Sequence, residues 1–299
     1  MIENNRTIGN WLRQNLPKLV LSPSVAMTLF FVYGFILYTG YISMTKSKML
    51  PNLSRYIGLD NYPKLWKTLN WQIALDNLFV FGTLYILICG VLGLFLAILL
   101  DQKIRMEGFL RTTYLYPMAL SFIVTGTAWK WFLNPGLGLE KSMHALGWES
   151  FSFDWLINPE MAVYTIVIAG VWQTSGFVMA MFLAGLRGID SEQLKAAQLD
   201  GASTFQTYRR IVIPQLHAVF LSAFVVLAHM GIKSYDLVVA LTGGGPGRST
   251  EMPATFMYSY TFTRNQMGIG AASAMIMLFT IAAIIVPYLY AETREKKNG

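Results

Sequence analysis

Charge is what this chain has least of. Of its 299 residues only 13% are Asp, Glu, Lys or Arg, while 54% are hydrophobic and the mean hydropathy is +0.45. A soluble domain carries about 25% charged residues. The shortage argues against a disordered chain and against a cytosolic enzyme. Cysteine is almost missing: Cys89 stands alone in an apolar run, so no internal disulfide or cysteine-based zinc site can form. There is no Gly-x-x-x-x-Gly-Lys-Ser/Thr segment, so the chain has no phosphate loop of its own and should not hydrolyse ATP. Three histidines are too few, and wrongly placed, for paired haem ligands; His217 reads as an interfacial residue and His229 as a hydrogen-bonded packing residue. No metal cluster, nucleophile or paired-carboxylate constellation supports a membrane enzyme.

What the chain has instead is long uncharged stretches. Six runs lack all four charged residue types: 19–45, 77–100, 112–129, 161–186, 211–232 and 265–291. A membrane-spanning helix needs roughly 20 apolar residues. The runs are too long for barrel strands and do not alternate, so an all-α integral membrane protein with six transmembrane helices is expected. The third run, the shortest, extends past Lys130 to Phe132 in this reading. The first follows an 18-residue polar lead and has no small-x-small exit, so it reads as a retained helix rather than a cleaved signal.

The net charge of +7 suggests nucleic acid only until its placement is read. The cations sit between the apolar runs, where they report membrane orientation. With both termini inside, the inner segments hold 13 Lys+Arg in 61 residues and the outer ones 10 in 94. The bias favours cytoplasmic termini, against the pull of Lys46, Lys48, Arg55, Lys64 and Lys67 in the first outer loop. Trp66, Trp71, Trp129, Trp131, Trp148 and Trp155 then fall at or beyond the outer helix ends, as an aromatic belt or outer docking surface would. The expected organisation is a cytoplasmic segment 1–18, a first helix 19–45, an outer loop 46–76, a five-helix core 77–291 and a cytoplasmic tail 292–299. No run contains an acid or base, which disfavours an ion-coupled carrier without excluding one. Gly243, Gly244 and Gly245, before Pro246, read as a tight turn after a short helix rather than a phosphate cradle.

The inner segment 187–214 is the most structured connection. Asp190 can cap a helix over about Ser191–Asp200, with Gln193 reaching back, and Gly201 ends it in the left-handed region. Ser203 and Gln206 repeat the capping pattern, and Pro214 marks entry to the fifth run. From capping alone, a hairpin without a partner fits as well as a docking element. The spacing points further: Ala196-Ala197, then Gly201, then nine residues, then Ile211-x-Ile213-Pro214. This resembles the coupling-loop signature of binding-protein-dependent ABC importer permeases, Glu-Ala-Ala, three residues, Gly, nine residues, Ile-x-Leu-Pro. Lys195 stands where the family has Glu, and Ile213 where it has Leu.

The resemblance extends along the chain. Gly58-Leu59-Asp60-Asn61-Tyr62 is similar to the family's lead-in to the second helix. Arg111 to Pro117 opens the third and Trp129 to Pro135 closes it. Tyr235-Asp236-Leu237 and Thr242 to Pro246 follow the fifth, as in sugar-importing members. Asp101–Arg105, Tyr116–Ser121 and Thr125–Trp129 look most like the glucose/mannose branch.

This resemblance implies the type I importer permease fold in the inner membrane of a bacterium, and a role as half of a sugar pathway, for a monosaccharide such as glucose or mannose. It implies as partners a second permease subunit, two copies of a cytosolic ABC ATPase that hold ATP and magnesium, and an extracytoplasmic sugar-binding protein. No cofactor on this chain and no nucleic acid is implied. The ATPase would meet Lys195, Ala196, Ala197, Asp200, Gly201, Ser203 and Phe205. An ion-coupled secondary transporter or channel is the competing reading; co-purification of an ATPase separates the two.

Trp172 is the one tryptophan deep in a run, followed by Gln173, Thr174, Ser175 and Phe177, groups suited to sugar hydroxyls and to stacking. The residues alone fit a helix–helix seam slightly better than a pathway. Maltose-type relatives hold their sugar on the helices flanking the coupling loop, and this resemblance maps the contacts to Trp172, Gln173, Thr174 and Phe177, and to Met230 and Gly231, with side chains that differ from the maltose pattern.

Overall fold

The computed structural model describes residues 15–18, 20–102 and 104–298, the backbone alone at 291, 292 and 294–298. Most of the expected N-terminal segment, together with Lys103 and Gly299, lies outside the described residues. The described chain is helical; its one β feature is an isolated bridge between Thr45 and Tyr56. The helices are α1 (Asn15–Ser43), α2 (Asn61–Lys67), α3 (Leu69–Asp101), α4 (Glu107–Leu115), α5 (Phe122–Phe132), α6 (Leu139–Ala145), α7 (Ala162–Arg187), α8 (Ser191–Leu199), α9 (Thr204–Gln215), α10 (His217–Ile232), α11 (Asp236–Leu241), α12 (Pro253–Tyr258) and α13 (Met267–Asn298). Four of these, α1, α3, α7 and the Met267–Tyr290 part of α13, are long and apolar enough to cross a membrane. The bent pair α9–α10, with 64° between its members, makes a fifth candidate. The helix α13 runs on through the expected tail rather than stopping at 291.

The third uncharged run does not form the single helix expected of it. It is split into α4, a 3-10 turn over Tyr116–Ala119, and α5. Pro117 sits in that turn, where it has no N–H to continue a helix. Leu120 and Ser121 are extended, and the Ser121 hydroxyl caps α5 by accepting from the Val124 N–H at 3.3 Å. A backbone break at membrane depth needs its freed groups satisfied from elsewhere in the protein. Gln173 on α7 does this: its Nε2 donates to the Leu120 carbonyl at 2.7 Å.

The core is the contact of α3 with α7. Phe81, Tyr85, Cys89, Gly93 and Ala97 are buried every fourth residue along α3, one ridge on one face. The ridge tapers from aromatic to small side chains along its length. At its small end α7 comes so close that a Cβ on Gly93 would strike Val178. On another face of α7, Gly176 lies against the carbonyl of Tyr114. The helix α7 buries most of its length, including Ile166, Val178, Met179 and Phe182. By contrast the apolar window of α1 has no buried residue, and α1 touches the rest mainly through its end, packed against α13.

A smaller cluster of Leu65, Trp71, Ala74, Phe256, Tyr260 and Ala272 closes the side opposite the 187–214 segment. Trp71 is fully buried there against Phe256, with ring centroids 5.1 Å apart, so it is a packing residue and not part of an aromatic belt.

Candidate functional site

The wide end of the α3 ridge opens a cavity of about 230 Å³. Phe81 and Tyr85 form one wall, stacked at 5.1 Å with 15° between their planes. Phe122, the first residue of α5, faces it because the chain breaks at Leu120–Ser121. Gly170 of α7 lines the cavity beside the Tyr85 ring, where a Cβ would come into ordinary contact with it. His229 and Met230 at the end of α10, then Lys233, Ser234, Tyr235 and Asp236, supply the polar end. Apolar walls with a few convergent polar groups are the usual make-up of a small-molecule site. Aromatic faces suit the C–H surface of a sugar ring, and the hydroxyl, carboxylate and ammonium groups suit its hydroxyls.

The residues expected to touch sugar divide in this geometry. Met230 lines the cavity. Gly231 is buried beside the Phe81 ring. Thr174 is fully buried and accepts the Tyr85 hydroxyl at 2.9 Å, so it holds the wall from behind. Gln173, 1% exposed, is occupied by the Leu120 carbonyl, and its Oε1 has no partner among the described residues. Phe177 packs on the core. Trp172 turns away altogether: it is 41% exposed, edge-on to Trp129 at 5.9 Å, and lines a separate shallow groove with Tyr114, Pro117 and Ser175. Successive helical residues point about 100° apart. The run 172–175 therefore cannot serve one cavity, and of the six positions only Met230 lines this one. Sequence reasoning missed Phe81, Tyr85, Phe122 and the 233–236 segment. The one signal it had was the i, i+4 spacing of Phe81 and Tyr85. His229, read as a packing residue, is exposed at the cavity.

At the opposite end of α7 and α10, the 187–214 segment folds into two capped helices. Asp190 caps α8, its carboxylate accepting from the Glu192 N–H at 2.9 Å. Gln193 does not reach back as expected, because its Oε1 accepts from Gln215 Nε2 at 2.9 Å. Gly201 has φ +78°, and the chain closes α8 with bonds from Gly201 N to Gln198 O (3.1 Å) and Ala202 N to Ala197 O (3.0 Å). These are the paired bonds of a Schellman stop. Ser203 and Gln206 form the expected capping box at the start of α9. The element is tied down at both ends. Arg187 pairs with Glu107 of α4 at 2.7 Å, and the Tyr208 hydroxyl donates to Asp101 of α3 at 3.1 Å.

Its outer face is apolar beyond what a free hairpin needs. Leu199 is 90% exposed and Phe205 72%, on either side of Gly201. Lys195, Ala196, Asp200 and Ser203 are exposed with them. Ala197 is buried, so of the alanine pair only Ala196 is presented.

Residues 90–295 match the family described as the binding-protein-dependent transport system inner membrane component. The chain belongs to this family. The matched span includes the whole 187–214 loop and every cavity residue named above except Phe81 and Tyr85. The permease is 43% identical over 279 residues to a probable ABC transporter permease of Pyrococcus horikoshii, covering 91% of this chain and 94% of the relative. It is 38% identical to a xylose/arabinose import permease of Haloferax volcanii, covering 88% and 84%. In fold it matches a chain in the crystal structure of a bacterial ABC transporter involved in import of the acidic polysaccharide alginate, with a TM-score of 0.80 at 18% identity over 97% and 99% of the two chains. The chain is thus a binding-protein-dependent sugar importer permease, with the all-helical type I fold.

Proposed function

We propose that this permease forms one half of the sugar pathway of an ATP-driven importer in an inner membrane, with the aromatic-walled cavity as its sugar contact. The observation that carries this is the cavity's place. It sits where the broken third run meets α3 and α7, at the far end of the helices α7 and α10 that also hold the 187–214 loop. A binding protein would deliver the sugar at the 233–264 side. A second permease would supply the facing half, and two cytosolic ATPases binding ATP and magnesium would dock on the loop through Leu199, Phe205, Lys195, Ala196, Asp200, Gly201 and Ser203. Ala197 and the bonds from Arg187 and Tyr208 would seat the loop on the ends of α3 and α4. Six spans with both termini cytoplasmic remain the reading of the charge bias, the split third run counting as one crossing. We read the host as a bacterium.

The finer reading, a monosaccharide such as glucose or mannose, is supported by the likeness of Asp101–Arg105, Tyr116–Ser121 and Thr125–Trp129 to the glucose/mannose branch. Relatives named for xylose/arabinose and for trehalose/maltose support a sugar without choosing among them. Phe122→Trp tests the cavity. It adds bulk to an already half-buried residue at the cavity wall. The variant complex should assemble and keep ATPase stimulation by the loaded binding protein, yet lose uptake of labelled sugar. Wild-type uptake would remove the cavity from the pathway.

Lys195 replaces the family's Glu at an exposed position of α8. Its neighbours Leu199 and Phe205 are the large apolar groups that face solvent in this segment. Lys195→Ala should therefore leave stimulated ATPase activity near wild type, since the apolar surface around Gly201 would carry the docking. A transport-dead Lys195→Ala in an assembled complex would overturn that assignment.

A further inference from the structure

Beyond Tyr235, on the side away from the 187–214 loop, lies a second recess of about 340 Å³. Tyr235 lines both recesses, so its side chain stands between them. Tyr258 packs on it at 5.1 Å between ring centroids. The other walls are the glycine turn at Gly243–Gly247 and three charged residues, Arg248, Glu251 and Arg264.

The charged residues are held without being paired to one another. Glu251 is 8% exposed, and its carboxylate has neither a hydrogen bond nor an ion pair among the described residues; only its backbone carbonyl is used, accepting from Asn77. Burial pushes this carboxyl up from its ordinary value, and the nearby Arg264 and Arg248 pull it the other way. Arg248 is anchored by one N–H on Asn70 Oδ1. Arg264 is anchored over the Tyr260 ring at 4.8 Å, with Nε on the Ser259 hydroxyl. A guanidinium has five N–H donors, so both arginines keep donors to spare.

The Glu251 carboxylate and the spare N–H groups of Arg248 and Arg264 therefore line the recess as an open acceptor beside open donors, groups that a ligand with both functions can satisfy together. A carboxylate only accepts and a guanidinium only donates, whereas a hydroxyl does both. Neighbouring hydroxyls of a sugar satisfy the two at once. An anion would meet the Glu251 carboxylate, and a cation would meet two arginines. Tyr235 and Tyr258 offer ring faces for the sugar's C–H surface.

We infer that this recess is a second, outer saccharide site, which holds the sugar against Glu251, Arg248 and Arg264 before it passes Tyr235 into the inner cavity. The inference rests on the sugar-pathway reading above.

The test uses the whole transporter in nanodiscs, without its binding protein. Saturation-transfer NMR is read with D-glucose, D-xylose and maltose as probes. Wild type should show transfer to at least one of them, and Phe122→Trp, which closes only the inner cavity, should retain it. Glu251→Gln should weaken the transfer-derived affinity about tenfold, the value of one hydrogen bond to a charged group. Val239→Trp, which fills the recess from an exposed position and leaves the three charged residues in the sequence, should abolish it. No transfer from any probe to wild type overturns the outer site, as does transfer unchanged in both recess variants. Recess variants that keep transfer but lose capture of the binding protein also overturn it, and make the recess a protein-docking face. If the outer signal behaves as expected but Phe122→Trp transports normally, the inner-cavity assignment fails and the outer site stands.

Discussion

Replacing Gly201 with valine should abolish transport and the stimulation of ATPase activity by loaded binding protein, while the binding protein's own sugar affinity stays unchanged. The space around Gly201 is open: a Cβ there would meet nothing within 4 Å. The whole cost is therefore conformational. At φ +78° a side chain pays about 1–2 kcal/mol, and a β-branched one stands at the upper end. The two bonds that close α8 depend on this conformation. Relaxing it would swing Leu199 and Phe205 out of register with each other, and they are the most exposed apolar groups of the loop. Gly201→Asn is the control. Asparagine enters the left-handed region several-fold more readily than other residues and should keep most activity. Equal loss in both variants would mean that space at Gly201, not its backbone angle, is what the docking partner requires. Full activity in Gly201→Val would remove the loop from coupling.

Gly176→Ala should prevent the subunit from packing at all. A Cβ on Gly176 would fall on the Tyr114 carbonyl oxygen, and its neighbours there are backbone atoms that cannot rotate away. Overpacking costs about 1–3 kcal/mol where side chains can shift, and more where they cannot. We expect α4 to separate from α7, taking with it the Glu107–Arg187 bridge, and a sharply lower yield of assembled complex on size exclusion. Gly90→Ala is the matched control on α3, in open space, and should be neutral or stabilising by up to about 1 kcal/mol. An assembled, thermally normal Gly176→Ala complex would show that the α4–α7 contact yields easily.

The features legible in the sequence are those fixed by local chemistry. The runs at 77–100 and 161–186 are helices because nothing in them breaks one, though α3 starts at Leu69, before its charges end. The Schellman stop at Gly201 and the capping box at Ser203 need only residues three to five apart. Gln193 shows where locality ends. Its expected partner was three residues away, but Gln215, 22 residues along, holds it instead. The third run hid its break because Pro117 and Ser121 are both tolerated in membrane helices when another helix supplies partners, and Gln173 is 53 residues from the Leu120 carbonyl it satisfies. The cavity was illegible for the same reason. Phe81, Phe122, Gly170 and Met230 come from four helices, and no spacing along one of them reports the others. Depth in a run also says nothing about which side of a helix a residue takes, and Trp172 lies on the groove with Tyr114 and Pro117 rather than on the cavity.

The joint between α9 and α10 has a mechanical meaning. A straight rod would carry a push at the loop only along its own axis. Bent 64° away from straight, the pair can act as a bell crank, pivoting near Leu216, which is buried between α7 and α10. The 16 residues of α10 span about 24 Å at 1.5 Å each, so a turn of about 5° at the pivot carries the far end roughly 2 Å. That end carries His229, Met230 and, just beyond, Tyr235. A small sideways step of an ATPase against Leu199 and Phe205 would therefore reach the polar end of the cavity as a transverse displacement.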